Sequence, residues 1–331
     1  MKLVVSLDVE ADNQWDHGRP LTTYNVRHWE PFQELCELHG VLPTYLVTSE
    51  IVEDELARNL LSNWLARGAA EIGAHLHPWS TPPFAETAGL RFNDGSHAFP
   101  SQVPDDLLRE KVAHLSAQIS DAFARAPTAF RAGRFGFDGR LARHLAEAGF
   151  IVDSSVTPLV SWRDTRGMGT GGPDFSPFSI EPFRVRGSGD PGLIELPVTI
   201  MQTYRVFDRF PGLLGLYRWL PVRAVRKILL GSWLQAQPMW LTPHPNYGPK
   251  DLALVWRRAE EAGARVAVMM FHSSELMPGG SPFRPAPQSV REMHECLGSF
   301  FAHVRSQGGT FAGLTEAALD VAAAGLRVRA L

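Results

Sequence analysis

The sequence predicts an irregular (β/α) barrel of about seven strands, and three observations carry that expectation. Short β-branched runs alternate with amphipathic helical patterns along most of the 331 residues. Such alternation implies parallel strands covered by helices, and some seven or eight repeats of it favour a closed barrel over an open sheet. No internal repeat, low-complexity tract or apolar run near the ~20 residues that span a bilayer breaks the rhythm.

The strand-like runs are Leu3 to Val9, Pro43 to Val47, Glu71 to His77, Thr128 to Ala132, Phe150 to Asp153, Gly192 to Ile200, Met239 to Thr242, Arg265 to Phe271 and Thr310 to Gly313. Between them lie helices with a clear apolar stripe. After Pro104, the residues Leu108, Val112, Leu115, Ile119 and Phe123 recur at three- and four-residue spacing, and Asp105-Asp106 suits a helix N-terminus. Val290, Met293, Leu297, Phe300 and Val304 repeat the stripe near the C-terminus. Two segments depart from it and are expected as rim insertions on one domain spanning 1–331. Residues 162–192 are glycine-rich with little periodicity, which reads as a long loop. Residues 205–233 mix aromatic and basic side chains; this predicts either a helical hairpin packed on the barrel or a weak membrane-surface patch.

Composition narrows the function. With 44% apolar and 20% charged residues the chain can bury a full core, and 32 basic against 35 acidic residues leave a net charge of −3. That balance excludes binding to nucleic acid by bulk electrostatics. Cys36 and Cys296 are the only cysteines and form no Cys-x-x-Cys pair, so a disulfide framework and a thiolate zinc site are excluded. The opening residues Met1 to Glu10 lack a signal-peptide pattern, which leads to the expectation of a cytoplasmic protein, peripheral at most to the inner membrane face.

In a parallel barrel, reactive groups come from the carboxyl ends of strands. The first strand ends Ser6-Leu7-Asp8-Val9-Glu10. At period two, Asp8 and Glu10 share a face, and an acidic pair there needs a cation or an arginine partner. The third strand ends His75-Leu76-His77-Pro78-Trp79, again with two polar side chains on one face. Two imidazoles beside a carboxylate make the donor set of a catalytic divalent metal. Arg131, at the end of the fourth strand, can hold a carboxylate ionised. His272 ends the buried run Val266 to Phe271 and is placed to act as a general acid, the alternative being a satisfied core histidine.

In this order the motifs resemble the NodB-homology polysaccharide deacetylases, carbohydrate esterase family four, over nearly the whole chain. The resemblance implies that Asp8 is the catalytic base, Glu10 a metal ligand, Arg131 the residue that secures the base and His272 the acid. Asp153, in Val152-Asp153-Ser154-Ser155, would be the residue on the substrate side that tunes the histidine. The family spaces its metal histidines four apart, and the residue four after His75 is Trp79. Strand geometry therefore assigns His77 as the second ligand, with His97 and Asp12 in reserve, and leaves Trp79 as a sugar-stacking or a structural tryptophan. The implied activity is metal-assisted, zinc-suited removal of an N-acetyl group from a glycan or sugar precursor. A hydrolase of non-sugar amides and an inactive glycan-binding protein are the alternatives.

Overall fold

Lys2–Val9 forms β1, a run of β-branched and leucine side chains buried on both faces. The strand is central, with a parallel neighbour on each side. Continuous burial of this kind is what a parallel strand under helices requires. The computed structural model describes residues 1–13, 21–84, 99–164, 171–189, 192–202 and 238–331.

The strands that follow are β2 (Pro43–Val47), β3 (Glu71–Leu76), β4 (Ala129–Ala132), β5 (Val152–Asp153), β6 (Phe183–Val185) and β7 (Ile194–Glu195). After these come β8 (Ile200–Gln202), β9 (Pro238–Trp240), β10 (Val266–His272), β11 (Thr310–Phe311) and β12 (Arg327–Arg329). The order β10-β1-β2-β3-β4-β5-β7 is parallel throughout, which matches the seven strands expected. β6 adds antiparallel to β7, and β8 pairs with β9 in a separate ribbon.

Among the described residues no ladder forms between β7 and β10, and the curled sheet is bridged there by individual bonds. Thr199 N donates to Val268 O at 3.0 Å, Val268 N donates back to the Thr199 hydroxyl at 2.8 Å, and Leu241 N donates to Thr199 O at 2.8 Å. The expected strand Gly192 to Ile200 is thus two short pieces. Pro197 lies between them, and a residue without an N–H cannot continue a ladder.

The helices over the outer face are α1 (Glu30–His39), α2 (Ser49–Glu53), α3 (Glu55–Ala66), α4 (Asp105–Phe123), α5 (Gly139–Glu147), α6 (Pro249–Glu261) and α7 (Pro287–Ser306). The apolar stripes read for α4 and α7 are buried as anticipated. The last helix, α8 (Leu314–Ala323), turns Leu314, Ala317, Ala318 and Val321 into the interior cluster with Val4, Leu46, Ala129, Val152 and Ile194. It covers the amino-terminal end of the barrel, opposite the carboxyl ends of the strands.

Residues 205–233, where a membrane-surface patch is one reading, lie outside the described residues. So does part of the 162–192 insertion. Among the described residues no helix is long and apolar enough to cross a membrane.

Gly73 shows how tightly β2, β3 and β4 meet. A Cβ there would stand 2.5 Å from Ala129 O and 2.6 Å from Leu46 Cδ2. Gly73→Ala should therefore destabilise the fold by about 1–3 kcal/mol through overpacking, read as a lower denaturation midpoint with an unchanged slope.

Candidate active site

Strand alternation builds the site. Leu3, Val5, Leu7 and Val9 join the outer core, whereas Val4 joins the interior. Ser6, Asp8 and Glu10 continue the inward series. In β3, Ile72, Ala74 and Leu76 face outward, so Gly73, His75 and His77 face in. Phe130 and Ala132 flank Arg131 on the outer side of β4, and Val266 and Val268 precede His272 on the inner side of β10. Register then sets Asp8 beside His272 and His75 beside Arg131.

Arg131 is fully buried, and all three of its guanidinium nitrogens donate. Nη1 donates to Asp8 Oδ1 at 2.7 Å, Nη2 to the Ser6 hydroxyl at 2.8 Å and the Ser154 hydroxyl at 3.1 Å, and Nε to Ser154 O at 2.7 Å. Burial pushes the Asp8 carboxyl up, but the Arg131 guanidinium, aided by His75 and His272, outweighs it and holds the acid below the usual carboxylate range. Asp8 is an anion whose Oδ2 remains turned to the cleft, 4.0 Å from both His75 Nε2 and His272 Nε2.

Glu10, His75 and His77 converge beside it. Glu10 Oε2 lies 2.7 Å from His77 Nε2 and 3.6 Å from His75 Nε2, and the two imidazole nitrogens are 3.1 Å apart. His75 Nδ1 donates to the main-chain carbonyl of Arg131 at 2.9 Å. A carbonyl can only accept, so Nδ1 carries a proton and Nε2 is the nitrogen turned to the cluster; against burial, the neighbouring Asp8 and Glu10 raise this imidazole above its ordinary value. Burial lowers the His77 imidazole to about 4, so it is neutral near pH 7, as a ligand must be. Although burial opposes ionisation of Glu10, its bonds to His75 and His77 take the carboxyl well below its ordinary range. Two nitrogens and one carboxylate oxygen, with the His75 tautomer preset, fit a divalent ion of the zinc class.

The close approach of His77 depends on β4. A Cβ at Gly133 would stand 2.5 Å from His77 Nδ1. Arg134 and Phe135, which follow, both adopt left-handed backbone conformations, at φ of 52° and 58°. For non-glycine residues this costs about 1–2 kcal/mol each. The turn carries Phe135 onto Trp162, with ring centroids 5.3 Å apart, and towards Trp240 at 5.8 Å, which makes an aromatic wall.

His272 retains 22% side-chain exposure, with Nε2 4.0 Å from Glu10 Oε1. Behind it Glu275 Oε1 accepts the His272 main-chain N–H at 3.3 Å and lies 3.9 Å from Nδ1, while Arg284 approaches Glu275 Oε2 at 3.7 Å. Burial alone would lower the imidazole; Glu275, Glu10 and Asp8 together raise it to about 9. Glu275 and Arg284 escape a reading of the sequence by strand ends, though the three-residue step from His272 to Glu275 on a helical turn is a visible signal.

Other expected residues stand elsewhere. Asp12 is occupied by the Thr22 hydroxyl at 2.8 Å, the Tyr24 N–H at 2.6 Å and the Asn25 amide at 2.7 Å, and so is a turn former, not a reserve ligand. His97 lies outside the described residues. Asp153 alternates with Val152 and Ser154 and therefore faces away from the cleft, where it accepts from Ser155 N at 2.9 Å and pairs with Glu195 across β5 and β7. The structure brings Asp153 neither to His272 nor to the cleft mouth. Trp79 is 7% exposed, and its ring packs on His77 at 4.3 Å, so this face supports a site histidine and is not open to a sugar.

No known family's sequence profile matches the chain, and no curated protein is similar to it in sequence. A solved structure of a putative polysaccharide deacetylase from Mycobacterium smegmatis matches it with a TM-score of 0.58, over 100% of this chain and 93% of that one, at 17% identity. The fold is the NodB-type barrel of polysaccharide deacetylases. This barrel also resembles a GH57 branching enzyme from Thermococcus kodakaraensis (TM-score 0.56, 12% identity, 100% of this chain and 72% of that one). A 4-alpha-glucanotransferase from Thermococcus litoralis matches at a TM-score of 0.50 and 12% identity, over 98% of this chain and 39% of that one. At such identities the likeness is one of fold, and chemistry is read from the site.

Two stability effects follow from the buried charges. Arg131→Met should cost about 3–5 kcal/mol, measured by chemical denaturation, because Asp8 is left buried and unpaired. Burial raises Asp153 to about 6 against the pull of its hydrogen bond with Glu195, and burial together with the Asp153 carboxylate raises Glu195 well above its usual value. Acids raised in the folded state oppose folding as pH climbs past their unfolded values. Glu195→Gln should therefore flatten the decline in stability above about pH 4 and leave the variant more stable than the wild type at pH 8.

Proposed function

We propose that this protein is a metal-dependent hydrolase that releases acetate from an N-acetylated amino sugar in a glycan or its precursor. The observation that carries the reading is the convergence, at the open end of the barrel, of Glu10, His75 and His77 with the ionised Asp8–Arg131 pair and with His272. Acyl transfer from nitrogen needs an activated water, a stabilised oxyanion and an acid for a poor leaving group. This cluster supports all three.

Glu10, His75 and His77 would hold a divalent ion, and zinc suits the nitrogen-rich set. Such an ion polarises an acyl oxygen and makes water acidic enough to attack near neutral pH. Asp8 takes the proton of the attacking water at Oδ2, since Oδ1 is held by Arg131. Arg131 keeps that carboxylate ionised and aimed. His272 gives a proton from Nε2 to the departing nitrogen, with Glu275 behind Nδ1 favouring the charged ring. In the aromatic wall the half-buried Trp162 and Trp240, packed on the buried Phe135, offer apolar faces for a sugar ring.

The fold likeness to a glycan branching enzyme does not favour glycoside cleavage. That chemistry places two carboxyl groups on opposite sides of the scissile bond. Here Asp8 and Glu10 rise from one strand end, and the strand beside it presents His272.

Acetate release from N-acetylated oligosaccharides, with and without a chelator, tests the reading. Chelation should abolish activity, and added divalent metal should restore it. Asp8→Asn should keep its metal while kcat falls by about 10²- to 10⁴-fold. Glu10→Ala and His77→Ala should lose metal and activity together, as measured by metal content and turnover on the same samples. A metal-replete wild type that releases acetate from no acylated sugar would refute the assignment.

A further inference from the structure

Arg131 and Arg134 stand three residues apart and live in opposite circumstances. Arg131 is enclosed, with Asp8, Ser6 and Ser154 taking its donors. Arg134 is half-buried at the mouth of the same cleft, and among the described residues no carboxylate pairs with it and no acceptor takes its N–H groups. Its guanidinium carbon sits 6.0 Å above the Trp79 ring, and Trp79 in turn packs on His77. Glu10 contributes a favourable field at Arg134 but is itself engaged by His77 at 2.7 Å.

The backbone presents this side chain deliberately. Arg134 occupies the left-handed region at φ 52° and ψ 24°, where glycine would be the relaxed choice. On either side of it no side chain fits: a Cβ at Gly133 would meet His77 and Leu76 O, and one at Gly136 would meet Phe99 and Pro100. A strained cation whose donors are unspent among the described residues, braced on an aromatic ring beside a reaction centre, has the chemistry of a receptor for an anion. A planar fork suits the two-point contact that a carboxylate or a phosphate makes.

We propose that Arg134 is a specificity residue that binds an oxyanion substituent, a carboxylate or a phosphate, carried by the acylated sugar whose amide is cleaved. The proposal rests on the deacetylase reading above and narrows its substrate class to acidic sugars.

Three substrates test it: a neutral N-acetylglucosamine oligomer, the corresponding 2-acetamido uronic acid, and N-acetylglucosamine 1-phosphate. Acetate release is measured for the wild type, Arg134→Gly and Arg134→Lys. Glycine relaxes the left-handed position, so a loss in that variant is not a failure to fold. The wild type should prefer one of the acidic substrates, and which one identifies the anion. Arg134→Gly should lower kcat/KM for that substrate by about 10- to 100-fold and bring its ratio to the neutral substrate near one. Arg134→Lys should recover only part of the loss, since an ammonium lacks the fork. No acidic preference in the wild type, or an equal fall for all three substrates, overturns the proposal. Should none of the three release acetate, the deacetylase reading fails by itself, and calorimetric binding of the two acidic compounds decides the matter for Arg134. A Kd weakened by about 10- to 100-fold in Arg134→Gly supports the anion site, and an unchanged or undetectable Kd refutes it.

Discussion

A guanidinium inside a barrel is the constraint around which this molecule is arranged. Arg131 has no access to water, so each of its three nitrogens turns to an oxygen of the protein. Those oxygens come from Ser6 and Asp8 on β1 and from Ser154 just past β5, while the Arg131 carbonyl receives the His75 ring from β3. One residue on β4 thereby ties together the ends of four strands. A register slip in any of them would leave a buried charge or a buried donor without a partner. The same set of bonds holds a carboxylate ionised in a dry place, which is the state that proton abstraction calls for.

The interior divides along its length as a consequence. Towards the amino ends of the strands it is aliphatic, filled by Val4, Leu46, Ala129, Val152 and the face of α8. Towards the carboxyl ends the same inward positions carry Ser6, Asp8, Glu10, His75, His77, Arg131 and His272. Polar groups are thus confined to the end where solvent and substrate can enter, and the aliphatic layer beneath them supplies rigidity.

Most of this was legible from residue patterns, because a period of two converts position directly into direction. The pairs Asp8/Glu10 and His75/His77 were placed on one face by that rule, and the structure agrees. Asp153 obeys the same rule against its expected place: Ser154 bonds Arg131 inside the barrel, so Asp153 faces out. The strand there is only two residues long, too short to advertise its alternation. Features that depend on contact between distant segments left no periodic trace. The approach of Gly133 to His77, the support of His272 by Glu275 and Arg284, and the aromatic wall of Phe135, Trp162 and Trp240 are of this kind. The break at Pro197 is written as a proline inside the apolar run from Gly192 to Ile200.

The bond from His75 Nδ1 goes to the main chain of residue 131, not to its side chain. Every amino acid at that position supplies the same carbonyl. The protonation pattern of the candidate metal ligand is therefore inherited unchanged through any substitution that keeps β4 in register, even one that abolishes the partner of Asp8. Over evolutionary time the two halves of the site are separable: a lineage can rebuild or discard its base while the nitrogen that faces the metal cluster stays correctly disposed. Descendants of such a barrel would keep the capacity to hold a metal long after the reaction it served had changed or ceased.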